Sequence, residues 1–237
     1  MAESPLLRPV KAGNTFEQTV ERLASAIRLG VVETGHRLPP ERELAGQLGV
    51  SRVTLREAIK ALQQAGYVTS VRGRTGGTVV IYDPGQRPKG NARRIARSLG
   101  AAEVLDALGY RSVVEPGAAE LAASRHLEED DRVRLRAALV AATDCAPNRR
   151  RMCDSRYHVL IGELSGSPSL AAAVADVQGR LDGLLAAIPV FARNITHSDA
   201  QHARIARAIL RGQAATARSA MAEHVEATAA LLRGLLT

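Results

Sequence analysis

The chain has 237 residues, of which 46% are hydrophobic and 24% charged, and its formal net charge is +8 at pH 7. This length is sufficient for two domains with separate cores, and the hydrophobic content excludes a disordered protein. No run approaches the ~18 apolar residues of a membrane-spanning helix, and the N-terminus lacks a signal peptide, so we expect a cytoplasmic protein without a membrane partner.

The basic charge is denser in the N-terminal part of the chain. Residues 1–92 contain 13 Lys and Arg against 8 Asp and Glu, whereas the longer remainder is closer to balance. Basic residues collect phosphate contacts and give salt-sensitive affinity for nucleic acid. A positive net charge permits such binding without proving it.

After a tail over residues 1–15, the first predicted element is a helix from Phe16 to Leu29. Its apolar residues recur at helical spacing, which marks one buried face, formed by Val20, Leu23, Ala24 and Ile27. This helix is the expected scaffold for the elements that follow.

The run from Leu38 to Leu62 predicts two short helices joined by a tight turn. Two prolines preset the first turn of a helix over Glu41–Leu48, and Gly49 supplies the turn. Ser51 is the expected N-cap of a second helix that starts at Arg52. The buried face of this second helix is expected to contain Leu55, Ala58, Ile59 and Leu62.

The exposed first turns of the second helix carry Arg52, Thr54 and Arg56. Guanidinium groups and a hydroxyl suit guanine edges and phosphates, and a recognition helix places its base-reading residues at this end. The pattern therefore predicts a DNA-reading helix.

A β-hairpin is predicted next, with strands over Tyr67–Val71 and Thr78–Tyr82. The segment RGRTGG between them supplies glycines for a turn and places Arg72 and Arg74 at the tip, where they can enter a groove of DNA. The alternative is that both arginines are solvated charges on a hairpin. The adjacent helix pair favours the first interpretation.

The segment LPPERELAGQLGVSRVTLREAIKALQQAGYV resembles the DNA-binding domain of GntR-type bacterial transcription regulators. The resemblance covers about the first third of the chain and implies a winged helix-turn-helix domain over residues 16–82. It differs in having Pro40 where a small hydroxyl cap is usual. DNA contacts are implied at Arg42, Arg52, Arg56 and the loop around Gly73, to which we add Ser51, Thr54 and Arg72.

A linker over residues 83–91 is followed by a helical domain over residues 92–237. The linker DPGQRPKG combines two prolines with two glycines, and Ala and Leu dominate the remainder of the chain. We expect six or seven helices, separated by breaks at Gly109, Pro116, Pro147, the segment SGSPS (165–169), Pro189 and Gly212.

The two cysteines, Cys145 and Cys153, are too few for a disulfide framework. They lie eight positions apart, with no second pair to suggest a zinc knuckle. We expect both to be reduced thiols.

Four ligand-type residues stand out in the helical domain. Asp154 and His158 are separated by one helical turn and can chelate a metal ion from one face. His202 follows a capping-box spacing that would start a helix at Ser198, and His224 lies on the next helix. Three imidazoles and a carboxylate suit a divalent transition metal, zinc being favoured, with nickel or manganese also fitting. The alternative is that each His is a hydrogen-bonded core or surface residue.

The same region resembles the all-helical effector-binding domain, the FCD domain, of the FadR-type branch of GntR regulators. The resemblance spans residues 92–236 and differs in having Tyr157 and Ser167 where Phe and Asn are frequent. It implies a metal site and a basic residue, Arg111, that faces the cavity and holds an effector carboxylate. The alternative for this residue is an i, i+4 pair with Glu115. The implied metal ligands are Asp154, His158, His202 and His224, with His197 second to His202.

These features predict a metabolite-responsive transcription regulator. In this family such a protein is most often a repressor, acting as a homodimer on an inverted-repeat operator in double-stranded DNA, with a small organic acid as effector. The alternatives are a metal-dependent hydrolase-like enzyme and a constitutive architectural DNA-binding protein. An enzyme is disfavoured because neither Glu163 nor Glu223 is placed to act as a general base.

Overall fold

The structure is a computed structural model that describes residues 15–71, 76–83, 101–185 and 192–236. The chain divides into two compact units, Met1–Asp83 and Pro84–Thr237. Within the described ranges, no helix is both long and apolar enough to cross a membrane. The predicted fold class, a winged helix-turn-helix followed by a helical bundle, is confirmed.

The first unit contains three helices and a two-stranded antiparallel sheet. In chain order these elements are α1 (Thr15–Arg28), α2 (Glu41–Leu48), α3 (Arg52–Gln64), β1 (Val68–Val71) and β2 (Gly77–Val80). The bounds of α2 and the start of α3 agree with the prediction. Each strand is shorter at its outer end than predicted, and the two strands pair from Val68 with Val80 to Val71 with Gly77.

Local chemistry fixes the turn between α2 and α3. Gly49 adopts a left-handed conformation with φ 66°, which a residue with a Cβ rarely adopts. Ser51 then caps α3, its hydroxyl accepting the backbone N–H of Thr54 at 3.0 Å. Pro40 gives α2 no side-chain cap, as expected. Buried side chains from α1, α2, α3 and both strands form the core of this unit.

The second unit contains six helices within its described residues. They are α4 (Ala101–Ser124), α5 (Glu129–Thr143), α6 (Arg150–Leu164), α7 (Pro168–Leu185), α8 (Ala192–Leu210) and α9 (Ala214–Leu236). Helix α4 packs against α6, α7, α8 and α9, so it lies at the centre of the bundle. Its buried alanines let the neighbouring helices approach closely.

Three predicted helix boundaries are wrong. Gly109 and Pro116 do not interrupt α4, which continues through both residues. Pro116 removes one backbone donor, but the burial of α4 among four helices outweighs this local cost. Ser198 lies inside α8 rather than at its start, so the capping-box spacing is coincidental.

The expectation of two reduced thiols is also wrong, because Cys145 and Cys153 form a disulfide. It links the α5–α6 connection to the first turn of α6. Sequence spacing could not show this, since the pairing depends on how the connection folds back on the helix.

Candidate functional site

The first unit presents a polar surface at the start of α3. Arg42, Ser51, Arg52 and Arg56 are all exposed. Among the described residues, Arg42 and Arg52 have no hydrogen-bond or ion-pair partner, so both guanidinium groups are available to a ligand. The Nε of Arg56 donates to Glu41 Oε2 at 2.7 Å, which orients this side chain along the α2–α3 face.

The hydroxyls predicted to contact DNA are engaged within the cap of α3. Ser51 Oγ lies 2.8 Å from Thr54 Oγ1, and Thr54 is half-buried. Arg72, Gly73 and Arg74 lie outside the described residues, as do residues 84–91 of the predicted linker.

The four predicted metal ligands lie together inside the second unit. Helix α6 supplies Asp154 and His158, α8 supplies His202, and α9 supplies His224. One ligand atom from each residue lies within 4.8 Å of all the others. The three histidines are buried, whereas the side chain of Asp154 is 27% exposed.

The imidazoles turn their Nε2 atoms toward one another. The Nε2 of His224 lies 3.3 Å from that of His202 and 3.2 Å from that of His158, and His202 Nε2 is 3.4 Å from Asp154 Oδ1. Two nitrogens bound tetrahedrally to zinc at ~2.05 Å would lie ~3.3 Å apart. The donor set and its spacing therefore fit a divalent transition metal.

Neighbouring groups fix the orientation of two rings. The Nδ1 of His224 lies 3.0 Å from Gln201 Oε1, and the Nδ1 of His158 lies 2.9 Å from Glu115 Oε2. The amide oxygen of Gln201 is an acceptor, so it places the proton of His224 on Nδ1 and leaves the lone pair on Nε2, whereas the contact of His158 with Glu115 lacks hydrogen-bond geometry. The ring of His224 is thus oriented to bind a cation at the centre of the cluster.

Burial disfavours the protonated form of two imidazoles in the cluster. It lowers the pKa of His202 to about 4, despite the opposing charge of Asp154, and it lowers the pKa of His224 well below the ordinary range. His202 and His224 are consequently unprotonated at neutral pH, the state that metal binding requires.

Arg111, the predicted effector residue, is buried on α4 and 1% exposed. Its Nε donates to Glu115 Oε1 at 3.0 Å, so the i, i+4 pair that was the alternative interpretation is present. Gln178 Nε2 donates to the same oxygen at 2.6 Å. Among the described residues, Arg111 Nη1 has no partner. Arg111 can therefore pair with Glu115 through Nε and still bind an anion through Nη1.

Three residues that support the site could not be assigned to it from the sequence. The sequence indicated Glu115 only as a partner of Arg111 and Gln201 only as a cap, and it gave no signal for Gln178. The i, i+4 spacing indicated the pair with Arg111, but the contact of Glu115 with His158 depends on how α4 packs against α6. Burial opposes ionisation of Glu115, but the guanidinium of Arg111 and the contact with His158 outweigh this effect and lower the pKa of Glu115 to about 2, so the carboxylate is ionised.

The competing residues lie elsewhere. His197 is exposed on α8 and does not belong to the cluster. Glu163 pairs with Arg134, and Glu223 pairs with Arg204 at 2.6 Å. Neither carboxylate is placed among the buried imidazoles, so neither is positioned to act as the general base of a hydrolase there.

Comparison with protein families accounts for both units. Residues 15–80 match the family "Bacterial regulatory proteins, gntR family", and residues 106–227 match the FCD domain. A solved structure of Escherichia coli McbR/YncC has the same fold, with a TM-score of 0.57 at 18% identity, covering 94% of this chain and 99% of that one.

Similar proteins matched over most of their length are named as transcription regulators. RmpR of Mycobacterium gastri, named as an HTH-type transcriptional regulator, is 33% identical over 94% of this chain and 82% of its own length. A protein of Escherichia coli K12 named for regulation of the L-lactate dehydrogenase operon is 30% identical over 88% of this chain and 83% of its own. The chain therefore belongs to the GntR family of DNA-binding transcription regulators, with an FCD effector domain as its second unit.

Proposed function

We propose that this protein is a cytoplasmic, metal-containing repressor whose operator affinity is controlled by a small organic acid. Regulators of this family bind DNA and are generally dimeric. We infer a homodimer that places two winged helices on an inverted-repeat operator, since two-fold symmetry in the protein matches palindromy in the DNA.

The cluster of proposed metal ligands, together with Arg111, supports the effector part of this proposal. Asp154, His158, His202 and His224 would hold zinc, nickel or manganese. The bound cation would supply positive charge and coordination positions for an anionic ligand. Arg111 would contribute a second positive group, because its Nη1 is buried without a partner among the described residues.

The chemical class of the effector follows from these two charges. A carboxylate can bind a metal with one group and a guanidinium with another, and a hydroxy acid offers an additional oxygen ligand. The relative named for the L-lactate dehydrogenase operon is consistent with this class. We therefore propose a small carboxylic or hydroxy acid.

The DNA part of the proposal assigns different roles to the exposed basic residues. Arg52 and Arg56 lie in the first turns of α3 and would read base edges, while Arg42 on α2 would hold phosphate. Ser51 and Thr54 would contact phosphate or bases, and Arg72 and Gly73 would act at the wing tip.

The first experiment compares two arginines on DNA selected by the wild-type protein from a random library. Arg52→Ala should cost ~1–3 kcal/mol on the selected sequence and little on unrelated DNA, whereas Arg42→Ala should weaken binding to both. Fluorescence anisotropy at fixed salt measures both affinities. Unchanged affinity of an Arg52→Ala/Arg56→Ala variant for the selected DNA would rule out α3 as the reading helix.

The second experiment titrates the protein–DNA complex with L-lactate and other small carboxylates at fixed metal and salt. An active acid should change DNA affinity by a factor that corresponds to ~1–3 kcal/mol, and DNA should change acid affinity by the same factor. Arg111→Ala should blunt the response while DNA binding persists. An equal response in a correctly folded Arg111→Ala variant, checked by circular dichroism, would make Arg111 purely structural.

A further inference from the structure

Val53 is the most exposed large apolar residue of the first unit within the described residues. It is the second residue of α3, and its side chain is 70% exposed. The buried face of the same helix is completed without it, by Leu55, Ala58, Ile59 and Leu62. Val53 therefore contributes nothing to the core that holds the helix in place.

Helix formation also gives no reason for valine at this position. A β-branched side chain loses rotamer freedom in a helix, so most polar residues would be at least as favourable on an exposed first turn. The next residue, Thr54, is the contrasting case, because it is half-buried and its hydroxyl contacts Ser51 within the cap. The exposed position at the start of α3 is thus occupied by an apolar group.

Basic side chains surround this apolar group. Arg52 precedes it, and Arg56 lies three positions further along the helix, on the adjoining part of the same surface. Both arginines are exposed, as is Arg42 on α2. An isolated apolar residue on a cationic surface matches a polyanion that presents an apolar group close to its negative charges.

We propose that Val53 reads thymine in the major groove, by packing its γ-methyl groups against the C5-methyl of the base. The thymine methyl is the one apolar group that base pairs expose in that groove, and only thymine carries it. This inference rests on the proposed use of α3 as the reading helix. It assigns a specificity-determining contact to a residue that carries no hydrogen-bonding group.

Removing one buried methyl group gives the expected size of the effect. Transfer of a methyl or methylene group from water corresponds to about a fourfold change in affinity. A deoxyuridine in place of one thymine removes this methyl and leaves the Watson–Crick edge unchanged. The substitution therefore tests the contact without disturbing the hydrogen bonds made by the arginines.

The experiment uses the full-length protein and duplex DNA that the wild type selects from a random library. Each thymine of one half-site is replaced in turn by deoxyuridine, and affinity is measured by anisotropy at fixed salt. For the wild type, one position should lose about fourfold in affinity. For Val53→Ala, which removes the γ-methyl groups from an exposed residue, the same replacement should have no effect.

Val31→Ala is the matched control. Val31 is 64% exposed on the same unit but lies outside all the helices and strands, so its removal should leave the deoxyuridine effect intact. Equal deoxyuridine sensitivity in wild type and Val53→Ala, or a selected half-site without a sensitive thymine, would overturn the inference alone. A library from which the wild type selects no sequence would overturn the proposed DNA recognition as well.

Discussion

Glu115 is a single buried carboxylate that three other side chains share. One oxygen accepts from Arg111 and Gln178, and the other lies 2.9 Å from Nδ1 of His158. A buried ion is tolerated only when its charge and hydrogen-bonding capacity are matched. Glu115 therefore connects the proposed anion-binding group to a proposed metal ligand.

We expect metal-free protein to lose stability in mildly acidic solution. The pKa of His202 is lowered from 6.5 to about 4 by burial, and that of His224 shifts in the same direction. Above pH 6.5, His202 is unprotonated in both the folded and the unfolded chain. As the pH falls toward 4, the unfolded chain binds a proton that the folded protein excludes, so the free energy of unfolding falls, by on the order of 3 kcal/mol for His202.

Urea unfolding of the chelator-treated protein at a series of pH values between 7 and 4 measures this loss. His202→Gln should flatten the profile, because the side chain that excludes the proton is absent. The pKa of Glu115 is lowered from 4.5 to about 2, so its contribution is lost from the acid end of this range downward and is common to both proteins. A variant profile as steep as that of the wild type would contradict the assignment to His202.

Two histidines on the same helix provide a matched test of the metal ligands. His202 belongs to the buried cluster, whereas His197, five residues earlier on α8, is exposed. His202→Ala should lower zinc affinity by at least tenfold, and His197→Ala should leave it unchanged. Competition with a chromogenic chelator gives both affinities. Wild-type affinity in His202→Ala, or loss in His197→Ala, would exclude the proposed ligand set.

At the scale of elements, close packing of α6 against α7 determines where two of the proposed metal ligands lie. Helix α6 carries Asp154 and His158, and Gly162 lies one turn after His158. A Cβ at Gly162 would lie 3.0 Å from the Cβ of Val174 and 3.3 Å from the Cα of Ala171. The absence of a side chain at Gly162 therefore permits the close approach of α6 to α7.

Enlarging Gly162 should separate α6 from α7. We expect Gly162→Val to lower the free energy of unfolding by ~1–3 kcal/mol and to weaken zinc binding, because the ligand-bearing helix is displaced. Gly109→Val on α4 is the control, since a Cβ at Gly109 would have no neighbour within 4 Å and valine is the better helix former, by ~0.4 kcal/mol. Similar effects of both substitutions in chemical denaturation would argue against a packing origin.

Elements specified by local chemistry could be predicted from the sequence. The apolar spacing of α3 and the cap at Ser51 gave its starting residue, because the cap hydrogen bond spans only three positions. The metal ligands were predicted from residue type and family resemblance, and the structure brings the four predicted residues together.

Features that depend on tertiary packing could not be predicted in this way. Pro116 is locally unfavourable in a helix, yet α4 continues because surrounding helices bury it. The contact between Glu115 and His158 joins residues 43 positions apart on different helices. The exposure of Val53 became informative only once the buried face of α3 was defined by its neighbours.

At the scale of the whole molecule, each compact unit has its own hydrophobic core. A ligand that binds one folded unit stabilises that unit by mass action. We expect zinc to raise the unfolding temperature of the second unit, and the selected DNA to raise that of the first. Differential scanning calorimetry of the full chain should therefore show ligand-specific shifts of two transitions.

Substitutions assign these transitions. The zinc shift should disappear in a His158→Ala/His202→Ala/His224→Ala variant that still responds to DNA, and the DNA shift should disappear in Arg52→Ala/Arg56→Ala while the zinc response persists. A single transition that both ligands shift equally would mean that the two units unfold as one.

The chain has no tryptophan and only four tyrosines, so its ultraviolet fluorescence comes from very few positions. Tyr67 and Tyr82 stack on each other in the first unit. In the second unit, the ring of Tyr157 lies 4.7 Å from that of His202, and its hydroxyl donates to the backbone oxygen of the same residue. Replacing Tyr110 by phenylalanine would leave Tyr157 as the sole emitter of that unit. The protein would then report occupancy of its imidazole cluster optically, without an attached dye.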